Sequence, residues 1–185
     1  DLSAGRVILL FSGRLIPRKG LKELLQALSD IDDVASWVVW IEGDGPLAAE
    51  CVRESERLGI ASRCRFLGFC QMKLHSWLMR NAEVVVVPSL KDSWGIAVDE
   101  GMQLGKCVIS TTSTGSAYER IQHGENGLLY QASDVSVLQG FLRNVVEDNG
   151  LRSRLGKSAA QTSASYGPER NVALIKKLAM PDKHW

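Results

Sequence analysis

VVVVPSLKDSWGIAVDEGMQLG, Val84 to Gly105, carries the fold in miniature. Four consecutive valines form an apolar strand with no polar face. Pro88 and the polar residues after it break the strand, and a helix begins near Gly95–Ile96. An all-apolar strand running through a short loop into a helix is half of a βαβ unit, and it belongs in a sheet covered on both faces. Asp92 and Glu100 bracket the helix start with seven residues between them. The first amides of a helix can hold phosphate, and carboxylates can accept from sugar hydroxyls. The stretch therefore suits a phosphorylated, hydroxyl-rich ligand.

The same alternation runs outward in both directions. Strands are predicted at Arg6–Ser12, Trp37–Glu42, Arg65–Gly68, Glu83–Ser89, Cys107–Thr111 and Gly127–Tyr130. Helices are predicted at Gly20–Leu28, Pro46–Leu58, Met72–Arg80, Ile96–Leu104, Ser116–Gln122 and Val135–Asp148, each with apolar residues three and four apart. This order predicts an α/β fold, a doubly wound, Rossmann-like parallel sheet of about six strands flanked by helices. The expected strand order is 3-2-1-4-5-6, with a ligand at the carboxyl ends of strands one and four, where the order reverses. Two more helices are expected at Leu151–Ser165 and Pro168–Met180, with Pro168 in the first turn of the last. Residues 1–180 read as one domain and 181–185 as a tail.

Composition narrows the function classes. The chain has 185 residues, 45% hydrophobic and 23% charged, with a net charge of +1. No global field favours nucleic acid or a membrane surface. No apolar run is long enough to span a bilayer, and the opening residues are not expected to act as a signal peptide. Cys51, Cys64, Cys70 and Cys107 form no CxxC pair and read as buried free thiols of a reducing compartment. The chain enters its first strand directly after DLSAG without an initiator Met, which predicts a domain of a longer protein.

Three loops at strand ends hold the candidate chemistry. Ser12-Gly13-Arg14-Leu15-Ile16-Pro17-Arg18-Lys19-Gly20 carries three cations, placed to clamp a diphosphate or else simply solvated. It contains neither GxGxxG nor GxxxxGK[ST], so dinucleotide and P-loop fingerprints are absent. Glu42-Gly43-Asp44-Gly45-Pro46 offers either close backbone approach to a ligand or a plain tight turn. Leu67-Gly68-Phe69-Cys70 ends strand three, where a base could lie against the backbone, although packing of Phe69 in the core is the commoner use of such a residue. Asp92 is accounted for as an acid favouring the helix dipole. Glu100, next to Asp99 in an apolar helix, is not, because two adjacent acids there need water or a partner. His123 reads as a surface turn residue.

Taken together, these loops resemble the donor-nucleotide half of retaining GT-B glycosyltransferases of family 4, also called group 1. The resemblance runs from about Val7 to Ala179, through SGRLIPRKG, EGDGP, RFLGF, DSWGIAVDE and HGENGLLY, in family order. It implies that Arg14 and Lys19 hold the donor diphosphate and stabilise the leaving-group charge, with Asp92 bonding hydroxyls of the transferred sugar. It implies donor contacts from Gly13, Gly43, Gly68, Cys70, Trp94, Gly95, Ile96 and Glu100, with Glu100 on the ribose diol and the Gly68–Cys70 backbone edging the base. The family's first acid is usually Glu, and Asp92 is one methylene shorter. The acceptor-binding N-terminal domain is not in this chain, so the fragment is expected to bind donor but not to transfer sugar alone. The last helix, with Val172, Leu174, Ile175 and Leu178, would cross back to that domain.

The implied reaction moves a hexose or N-acetylhexosamine from a nucleotide diphosphate sugar, UDP favoured over GDP, to a glycan or lipid-linked acceptor with retention. No metal and no cofactor are expected, because the cationic loop and helix amides neutralise the charge. The implied setting is bacterial surface polysaccharide assembly, lipopolysaccharide or capsule, in the cytoplasm. Peripheral association of the full-length enzyme with the inner face of the plasma membrane is compatible with it. Two other readings stay open. A nucleotide-sugar 2-epimerase would need carboxylates and a histidine in the cleft, and a non-enzymatic nucleotide-binding module would use its acids only as helix caps.

Overall fold

The computed structural model describes residues 5–31 and 37–166. The predicted helix at 168–180 and the tail at 181–185 lie outside the described residues. Six parallel strands form one sheet: β1 (Val7–Ser12), β2 (Trp37–Glu42), β3 (Cys64–Gly68), β4 (Val84–Val87), β5 (Cys107–Thr111) and β6 (Leu128–Tyr130). Their order is β3-β2-β1-β4-β5-β6, as expected. β1 pairs with both β2 and β4, so the order reverses on either side of β1. The helices that follow β1 and β4 cover opposite faces of the sheet, which leaves a crevice at the carboxyl edge between the two strand ends.

The strands are apolar throughout because both faces are covered. β2 and β5 are buried along their whole length, and Trp37 and Trp40 are enclosed on opposite faces. One face is covered by α1 (Leu21–Ser29) and α6 (Val135–Glu147), which pack on each other, with α2 (Ala48–Arg57) against α1 as a lesser contributor. Leu21, Leu24, Leu25 and Leu28 of α1 fall on one stripe and are fully or nearly fully buried. The other face is covered by α3 (Met72–Asn81), α4 (Ile96–Gln103) and α5 (Gly115–Arg120). α7 (Asn149–Ala164) packs on α4 and β5, with Leu155 in one core cluster and Ala159 in the other. Among the described residues, no helix is long and apolar enough to cross a membrane.

Candidate nucleotide-sugar site

Two loops meet over the crevice. The loop after β1 and the loop after β4 are joined at Arg18, whose carbonyl accepts from Leu90 N at 2.8 Å and Lys91 N at 3.3 Å. The Arg18 guanidinium donates to the Lys91 carbonyl at 3.2 Å. Next to this seam, Lys19 Nζ donates to Asp92 Oδ2 at 2.5 Å, and Arg18 Nη1 stands 3.8 Å from Asp92 Oδ1. The Asp92 side chain is only 10% exposed. Two of the three loop cations therefore gather on the first acid of the bracket.

Asp92 does not cap the helix. Gly95 occupies the N-cap of α4 at φ 85°, and no side chain among the described residues caps the helix. The glycine is required: a Cβ there would lie 2.4 Å from Thr114 Cγ2. Ile96 and Ala97 have no carbonyl one turn back, so their amides face outward without an intrahelical acceptor. The explanation of Asp92 as a helix-dipole acid gives way to an ion pair with the cationic loop. A cavity of about 460 Å³ lies between these groups, bordered by Gly13, Lys19, Ser89, Asp92, Gly95 and Ile96. The Ser89 hydroxyl is buried there and has no hydrogen-bond partner among the described residues.

A second cavity of about 600 Å³ shares Ser12 and Gly13 with the first and continues past Arg14, Gly43, Phe69 and Cys70. Pockets for small ligands have this range of sizes. Arg14 is exposed, and its guanidinium has no partner among the described residues. Gly43 at φ 126° packs its Cα onto the β1 loop, and a Cβ there would lie 1.9 Å from the Gly13 carbonyl. Gly43 N donates to the Gly68 carbonyl at 2.8 Å, which ties the second loop to the third. Gly13 differs from Gly43. The nearest atoms to a Cβ on it are Lys19 Cδ at 3.8 Å and the Phe11 ring at 3.9 Å, so protein packing does not demand a glycine.

Phe69 is not in the core; it is 81% exposed at the cavity mouth. The register between β2 and β3 shifts at Glu42, which pairs with Gly68, and Gly68 turns at φ 65°. The chain leaves the sheet there, throwing Phe69 outward and Cys70 inward.

The adjacent acids of α4 each have a protein partner. Asp99 accepts from Arg120 Nη1 at 2.5 Å and from Trp94 Nε1 at 2.7 Å. Arg120 also lies over the Trp94 ring at 5.1 Å. The Trp94 indole is thus fixed to α4, and the residue borders the cavity. Glu100, 35% exposed, has Oε1 3.1 Å from His75 Nε2. The other ring nitrogen, Nδ1, is 3.0 Å and 2.9 Å from the two oxygens of Glu42. His75 and Glu42 were not singled out by the sequence, although a carboxylate closing the apolar run WVVWIE and buried in the fold needs a partner. Burial works against charge on His75, but the hydrogen bonds to Glu42 and Glu100 outweigh it, and its pKa is raised.

The remaining candidates are structural. His123 is exposed, accepts from Leu129 N at 3.1 Å and lies against Phe141. Its loop is pinned by the buried Asn126, which accepts from Gln122 N at 2.7 Å and donates to the Arg120 carbonyl at 2.9 Å. All four cysteines are free and buried. Burial pushes the Cys64 and Cys107 thiols up to about 12.

With this geometry in hand, the chain can be set against known proteins. The family described as glycosyl transferases group 1 matches residues 2–162. The lipopolysaccharide core biosynthesis glycosyltransferase LpsE of Rhizobium meliloti is 29% identical over 88% of this chain and 46% of its own length. A D-inositol 3-phosphate glycosyltransferase of Streptomyces avermitilis is 31% identical over 87% of this chain and 37% of its own. The chain thus spans less than half the length of these relatives. Anabaena HepE, solved with UDP, superposes with a TM-score of 0.85 at 24% identity, covering 96% of this chain and 50% of that one. The C-terminal domain of the Francisella tularensis group 1 protein LpcC superposes at 0.78 with 23% identity, covering 86% of this chain and 85% of that one. Such low identities carry the fold, which is that of GT-B C-terminal domains, while the family match extends over most of the sequence: the chain belongs to the glycosyltransferase group 1 family.

Proposed function

We propose that this chain is the donor-binding half of a retaining, metal-independent glycosyltransferase of family 4. It would take a UDP-linked hexose or N-acetylhexosamine, destined for a glycan or lipid-linked acceptor in bacterial surface polysaccharide. The observation that carries the reading is the pair of cavities joined at Ser12 and Gly13, one bordered by Arg14 and the other by Lys19 and the N-terminus of α4. Cations and free amides facing each other across one space form a diphosphate site. The same groups would stabilise the negative charge that grows on the leaving diphosphate, so no divalent ion is required for that task.

The remaining roles follow from position. Asp92 sits at the sugar end and would accept from the transferred sugar's hydroxyls while holding Lys19 near the phosphates. Ile96 and Gly95 would add amides. Glu100 would accept from the ribose diol, and the Gly68–Cys70 backbone would edge the base, with the exposed Phe69 ring beside it. Anabaena HepE has been solved with UDP, with UDP and glucose, and with UDP-glucose, which supports the choice of uridine. Relatives in lipopolysaccharide core synthesis support the polysaccharide setting. Neither rival reading gains. Asp92 is an ion-pair member rather than a cap, and His75, hydrogen-bonded through both nitrogens to carboxylates, has no free lone pair with which to abstract a proton as an epimerase would.

Calorimetric titration of the chain with UDP, GDP and ADP tests the proposal. The expected result is binding of UDP, tighter than the other two and unchanged by EDTA. Loss of UDP binding in EDTA, or equal binding of all three nucleotides, would contradict it.

A further inference from the structure

The Glu42–His75–Glu100 chain joins three elements that are distant in sequence: the end of β2, the middle of α3 and the second turn of α4. A neutral imidazole has one N–H donor, and its other nitrogen presents a lone pair. With carboxylate oxygens at 2.9 Å and 3.0 Å from Nδ1 and at 3.1 Å from Nε2, the neutral ring would set a lone pair against one of them. The imidazolium alone donates on both sides. The two acids are not equivalent. The Glu42 side chain is 8% exposed and that of Glu100 is 35% exposed. On deprotonation the ring keeps its proton on Glu42, the more buried acid and the one less able to exchange the imidazole for water, and Glu100 is the acid released. The other groups around the ring do not replace the lost donor. Arg80, on the same helix, borders the neighbouring cavity but is exposed, and the Cys70 thiol near Glu42 is held neutral by burial and by that carboxylate.

We propose that His75 is a positioning residue: as an imidazolium anchored on Glu42 it fixes Glu100 toward the donor ribose, so that recognition of the ribose hydroxyls depends on the His75 proton. This rests on the donor reading above. It adds a pH-dependent element to nucleotide binding in which the base and diphosphate contacts take no part.

The test compares UDP with 2′,3′-dideoxy-UDP between pH 6 and pH 9. Both carry the same base and diphosphate, so the ratio of their affinities isolates the ribose hydroxyls and cancels titration of the phosphates. In the parent chain the preference for UDP should fall roughly five-fold from pH 6 to pH 9, the worth of one ordinary hydrogen bond. His75→Gln should show a pH-independent ratio near the parent's high-pH value. Glu42→Gln, which keeps the shape but removes the anchoring charge, should move the midpoint of the fall to lower pH. A flat ratio in a parent that binds UDP overturns the role of His75 and leaves the donor reading standing. A slope that survives in His75→Gln does the same. No UDP binding at any pH defeats the donor reading and this inference with it. Independently of nucleotide, an NMR titration of His75 with a midpoint at or below about 6.5, the ordinary histidine value, would overturn the charged bridge.

Discussion

Gly13→Ala separates the needs of the fold from those of a ligand. Gly13 borders both cavities. A methyl group on it would meet Lys19 Cδ at 3.8 Å and the Phe11 ring at 3.9 Å, which is ordinary contact distance. Its φ lies outside the left-handed range, so alanine adopts the same backbone. Stability should therefore hold or rise by up to about 1 kcal/mol, since alanine restricts the unfolded chain. In the filled site the methyl occupies space needed by the diphosphate. Forcing an extra carbon into a packed contact costs about 1–3 kcal/mol, or roughly five- to 150-fold in UDP affinity. Gly43→Ala is the contrast: its Cβ would lie 1.9 Å from the Gly13 carbonyl at φ 126°, so it should lower the melting temperature markedly. Thermal unfolding and UDP calorimetry on both variants give the answer. A Gly13→Ala chain that melts like the parent and binds UDP equally well would refute a ligand against Gly13.

Other outcomes follow from the same geometry. Arg14→Ala should leave stability within about 0.5 kcal/mol, because the side chain is exposed and without a partner among the described residues, while weakening UDP by about 1.5–3 kcal/mol in calorimetry. Lys19→Ala should weaken UDP similarly and also cost about 1–3 kcal/mol in denaturant unfolding, since it strips the short contact from a nearly buried Asp92. The raised pKa of His75 gives a stabilisation that is complete below about pH 6.5 and fades as pH rises through the folded value, so melting temperature should fall over that window in the parent more than in His75→Gln. Cys51, Cys64 and Cys107, which border neither cavity, should react with a thiol reagent only on unfolding, Cys64 and Cys107 being held at about 12.

The strands were legible because each is a short apolar run enclosed on both faces, where composition and burial coincide. Trp37–Glu42 and Cys107–Thr111 emerge with their expected bounds, and the other expected strands and helices that fall among the described residues lie within two residues of theirs. The β-α alternation and the reversal at β1 carried the crevice with them. The partners of the acids were harder to see. His75 is 33 residues from Glu42 and 25 from Glu100, and nothing local to α3 marks it. Asp99 similarly finds Arg120 and Trp94 across the fold. Phe69 went the other way: its apolar character argued for the core, but the register shift at Glu42 and the left-handed turn at Gly68 direct it outward. Sheet register and long-range ion pairs are properties of the assembled layers, and no window of sequence contains them.

The most direct measurement is a crystal structure of the chain soaked with UDP. The account predicts the diphosphate between Arg14, Lys19 and the N-terminus of α4, the ribose on Glu100 and the uracil along Gly68–Cys70. UDP bound elsewhere, or a crevice left empty at saturating nucleotide, would contradict it.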